Sequence, residues 1–81
     1  MNNKRRKQIK EVQTQLTTVR ESLHNILCDE DDYLSNMPES LFTSSKKSMI
    51  AQANVGDLQF SVDTVDELLD TLKNVVERKD I

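Results

Sequence analysis

The chain has 81 residues, 14 acidic against 11 basic, a formal net charge of -3, and one each of glycine, proline and cysteine. That length allows one domain and no large core, and a single cysteine excludes a disulfide framework or a four-cysteine zinc site and fits a reducing compartment. No apolar run approaches the ~18 residues of a membrane span and none follows a basic start as in a secretory signal, so the expected location is the cytoplasm.

So little glycine and proline leaves no turn chemistry for a multi-stranded sheet and predicts an all-α chain. The first helix is expected over about residues 3–35. Ile9, Val12, Leu16, Val19, Leu23 and Ile26 recur at alternating spacings of 3 and 4, a heptad stripe on one helical face that extends to Tyr33. Lys, Gln, Glu, Thr, Arg, Ser and Asn fill the positions between them and suit a solvated surface.

Residues 36–44 read as a loop. Pro38 disfavours helix at Met37 and cannot sit inside a helix. Ser44 or Ser45 can cap the next helix.

The second helix is expected over about residues 45–79. Val55, Leu58, Val62, Val65, Leu69, Leu72 and Val76 again alternate by 3 and 4, and Ala51 and Ser48 continue that register upstream. Gly56 weakens this helix by about 1 kcal/mol relative to alanine, or else delays its start to Asp57.

Two helices joined by a loop of this length lie antiparallel. Position numbers that add to 81 bring Ile9 to Leu72, Leu16 to Val65 and Leu23 to Leu58, with the turn centred inside the loop. The same arrangement sets the basic start against Asp66, Glu67, Asp70, Glu77 and Asp80, and Asp29–Asp32 near Lys46 and Lys47. Exposed pairs of this kind contribute about 0–1 kcal/mol each.

The expected fold is therefore a single-domain, coiled-coil-like two-helix hairpin spanning residues 1–81. Such a hairpin leaves Leu27, Leu34, Phe60, Leu68 and Val75 outside its strict seam. A chain this small, without a disulfide or metal, gains most by self-association, so a homo-oligomeric helical bundle is expected.

The loop hexapeptide Asn36-Met37-Pro38-Glu39-Ser40-Leu41, preceded by Tyr33, follows a basic start at Lys4-Arg5-Arg6-Lys7-Gln8-Ile9 and an acidic helix end. In these features the chain resembles a family of small, mostly uncharacterised helical proteins encoded by bacteriophages and prophages. It departs from them at Ser44-Ser45-Lys46-Lys47, where the family tends to have Ser-Glu-Arg-Gly. The resemblance implies a phage origin and brings no activity with it.

Catalytic chemistry is not expected. His24, the lone histidine, falls on an outward position without a positioned partner. Cys28 is followed by Asp29 and Glu30, the opposite of the electropositive setting that activates a thiol. One glycine cannot build a phosphate loop. Asp29-Glu30-Asp31-Asp32 lacks the alternating spacing and central glycine of a calcium loop, so neither metal nor cofactor is expected.

Lys4, Arg5, Arg6, Lys7 and Lys10 could neutralise phosphates. The acidic remainder and the lack of interleaved aromatics argue against a polynucleotide and leave a small nucleotide as the ligand class. Tyr33, Met37, Leu41 and Phe42 gather around the loop, either plugging the hairpin end or offering an apolar tip to a partner. The leading expectation is a non-enzymatic phage-type protein that binds and blocks a host component, for example one of host defence, in the host cytoplasm. Two alternatives stand beside it: an oligomeric sponge for small nucleotide signals, and a purely structural bundle.

Overall fold

The computed structural model describes residues 1–38 and 45–78. Two helices make up the described chain, α1 over Asn3–Ser35 and α2 over Lys46–Glu77. Each begins on a side chain that accepts from the helix's free backbone donors, as helix starts require. Asn2 Oδ1 accepts from the Arg5 backbone N–H at 2.8 Å, and Ser45 Oγ accepts from that of Ser48 at 3.0 Å. Ser45 is thus the residue that caps α2. The helix runs unbroken through Gly56, so the late start at Asp57 does not occur.

Three links across the pair establish that it is antiparallel and set its register. Arg6 donates to the Arg78 carbonyl, Arg20 to Asp66, and Asn54 to Glu30. The position numbers of these partners add to 84, 86 and 84, centred near 85 rather than the expected 81. At 85, Ile9 comes opposite Val76, Leu16 opposite Leu69, Leu23 opposite Val62, Leu27 opposite Leu58 and Leu34 opposite Ala51.

The shift has a cause in α1. Its shielded positions are Arg6, Ile9, Gln13, Leu16, Arg20, Leu23, Leu27, Glu30 and Leu34, with Met37 shielded just beyond its end. Ile9, Leu16 and Leu23 belong to the expected stripe. The alternating row does not: Gln13, Arg20, Leu27 and Leu34 replace Val12, Val19, Ile26 and Tyr33. Leu27 and Leu34 fill the seam near the loop, and α1 is rolled by about 50°, half of one residue's turn. On α2 the expected stripe, with Ser48 and Ala51, is the shielded one.

The resulting core is thin. Leu27, Ala51 and Val62 are the fully buried apolar side chains among the described residues. Ser48 is buried with them, and its hydroxyl accepts from Gln52 Nε2 at 2.9 Å. The molecule is a rod, 62 × 18 × 13 Å along its principal axes.

Candidate functional site

The rolled α1 gives the hairpin two unlike edges. One carries the displaced row, Val12, Val19, Ile26 and Tyr33, between 44% and 52% exposed. On α2 the same edge carries Ser61, Leu68 and Val75, because in an antiparallel pair the rows that precede the two seams meet. A cleft of about 360 Å³ that Ile26 lines with Glu30, Asn54, Asp57, Leu58 and Ser61 lies at the loop-ward limit of this edge, where its two acids end the uncharged stretch. The flanking positions are Gln8, Gln15 and Ser22 on α1 and Thr64 and Thr71 on α2. From Gln8 to Ile26 and from Ser61 to Val75 these edge rows hold no charged residue, in a chain that is 31% charged.

The opposite edge carries Lys10, Glu21, Asp63, Asp66, Asp70 and Lys73 over the same length, with Lys7 and Glu77 just beyond it. Arg20 leaves the seam towards it, with Nε 3.1 Å from Asp66 Oδ1. His24 and Cys28 lie one turn apart on that side, Nε2 and Sγ 3.7 Å from each other. Among the described residues no group of three or more His, Cys, Asp or Glu is placed to hold a metal ion. No described helix is long and apolar enough to cross a membrane.

The basic start does not form one patch within a hairpin. Lys4, Arg5, Lys7 and Lys10 are exposed and fan around the first turns of α1. Arg6 is half-buried, and its guanidinium donates to Asn3 Oδ1 and to the Arg78 carbonyl, both at 3.4 Å. It meets the far end of α2, next to Glu77; Asp80, another of the acids expected to face the basic start, lies outside the described residues. Of the loop cluster, Tyr33 and Met37 line a cleft of about 360 Å³ with Asn36, Pro38 and Lys47. Leu41 and Phe42 lie outside the described residues.

A second apolar stripe, unnoticed among the heptads, runs along the outside of α2. Met49, Ala53, Gly56 and Phe60 follow at spacings of 4, 3 and 4, with Ile50 alongside. Met49 is 70% and Phe60 71% exposed. A Cβ added at Gly56 would meet nothing within 4 Å, so the hairpin's own packing does not call for the glycine. The periodicity that identifies this stripe was present in the sequence, hidden beside the stronger inner one.

Comparison with protein-family models, with curated proteins and with solved structures returns no match.

Proposed function

We propose that this chain is a non-enzymatic interaction protein, a self-associating helical hairpin whose outer surface binds and occludes a protein of the host cell in which a phage would produce it. The observation that carries the reading is the outward stripe of α2. Met49 and Phe60 stand in water on either side of Ala53 and Gly56, and all four are exposed among the described residues. A large apolar side chain on each side of a small-residue notch suits the close approach of another helix. The mid-helix glycine costs about 1 kcal/mol that the hairpin does not recover.

Self-association is supported by the thin core, since three buried apolar side chains among the described residues are few for a chain of this size. The host, the phage origin and action within the host cytoplasm rest on the resemblance carried by the loop hexapeptide and the basic start.

The test is affinity capture from a bacterial extract with the tagged chain and with a Met49→Asp, Phe60→Asp variant whose helicity is checked in parallel. One host protein retained by the parent and lost by the folded variant is the expected result. The same proteins on both, or none on either, would contradict the reading.

A further inference from the structure

We infer that the uncharged edge of the hairpin is the face on which a second copy of this chain docks, closing a four-helix bundle. This deepens the self-association proposed above by naming its surface. Val12, Val19, Ile26 and Tyr33 on α1 and Leu68 on α2 form a row that borders the intramolecular seam and continues it outward. A helix with apolar residues in the two seam rows and in one neighbouring row has the wide stripe of a bundle helix, broader than a two-helix pair needs.

Charge selects a second copy over an unrelated partner. In a two-fold contact every residue meets the same set of residues on its twin, so any uncompensated charge confronts its own kind. For a chain of net charge -3 an uncharged face satisfies that condition. The opposite edge, with four acids against two lysines and the Arg20 that reaches it over the same length, keeps a surplus of negative charge and does not. A heterologous partner would place no such restriction, because it could bring complementary charges.

Three hydroxyls that α2 brings to this edge are already prepared for burial. The Ser61 hydroxyl donates to the Asp57 carbonyl at 2.8 Å, Thr64 to Phe60 at 2.8 Å and Thr71 to Glu67 at 3.0 Å. Each donor is used within its own helix, so covering it leaves no unmet hydroxyl proton, and the threonines can turn methyl groups to the contact. The size also fits. From Gln8 to Ile26 the uncharged rows run about 27 Å, and across two helices of ~10 Å they project about 540 Å², on the order of the ~800 Å² per partner of a stable interface.

The experiment is sedimentation equilibrium of the full chain, its Val19→Glu, Leu68→Glu variant and its Val19→Lys, Leu68→Lys variant, each alone and the last two mixed. Thr17→Glu, Gln59→Glu on the opposite edge is the control. The parent and the control are expected at twice the 9.3 kDa chain mass. Each edge variant alone should dissociate with a constant raised at least about 100-fold. The mixture should regain the two-chain mass, since opposite charges then face each other, and this rescue reads out even if a variant alone unfolds. A parent that associates while the glutamate variant keeps its mass, or a mixture that does not recover, overturns the edge and leaves self-association standing. A parent that stays at the single-chain mass overturns both.

Discussion

Arg20 Nε lies 3.1 Å from Asp66 Oδ1, a link that starts in the seam and ends on the charged edge. Arg20 holds a position that the heptad pattern of its own helix would assign to an apolar residue. Its aliphatic stem covers the seam while its head reaches water and a carboxylate. With side chains 35% and 46% exposed, the pair is screened and contributes little by Coulomb attraction. Arg20 is accommodated by the roll of α1 that Leu27 and Leu34 set, and does not cause it.

That assignment predicts the outcome of Arg20→Leu. The leucine should fill the seam and leave stability unchanged or raised by about 1 kcal/mol in thermal unfolding, because buried area replaces a weak exposed pair. A loss of more than about 2 kcal/mol would mean that the pair carries far more than its exposure allows.

Gly56→Ala should stabilise the hairpin by about 1 kcal/mol, measured by urea unfolding. The added methyl meets open space and the helix gains propensity. If the outward stripe receives another helix, the same variant should weaken capture of the host protein while the chain becomes more stable. A structural role for the glycine predicts the reverse.

Leu27 and Ile26 are neighbours in sequence and opposites in environment. Leu27 is 7% exposed and Ile26 52%. Leu27→Ala should cost about 2–5 kcal/mol at any protein concentration. Ile26→Ala should change the isolated hairpin by less than about 0.5 kcal/mol, yet lower the melting temperature when assembly contributes to it. Melting curves at several concentrations separate the two effects.

Ser45→Ala should cost about 1 kcal/mol through loss of the cap on the Ser48 backbone N–H. Ser45→Asp should restore it, since an aspartate at that position accepts the same bond and faces the positive end of the helix dipole.

The two-helix architecture was legible in the sequence because the inner stripe of α2 has a single phase. Val55 to Val76 offers one unbroken alternating set of apolar positions, with Phe60, Leu68 and Val75 outside it, and the structure shields that set. On α1 two phases compete. Ile9, Leu16 and Leu23 fit both, and counting apolar residues favours Val12, Val19 and Ile26 over Gln13 and Arg20. Periodicity ranks rows by hydrophobicity, but an isolated pair of helices also needs Leu27 and Leu34 near the loop, and it tolerates Gln13 and Arg20 farther from the loop, where their heads reach water. The row that lost the seam is the one now assigned to the second copy. The outward stripe of α2 escaped notice for a related reason. Its members, Met49, Ala53, Gly56 and Phe60, read individually as a gap-filler, a helix former, a weak point and an outlier.

The native mass of the full chain, measured without denaturation across a wide concentration range, tests the central claim most directly. The account predicts twice the 9.3 kDa chain mass at micromolar concentration, falling towards a single chain only on dilution. A single-chain mass throughout would contradict it.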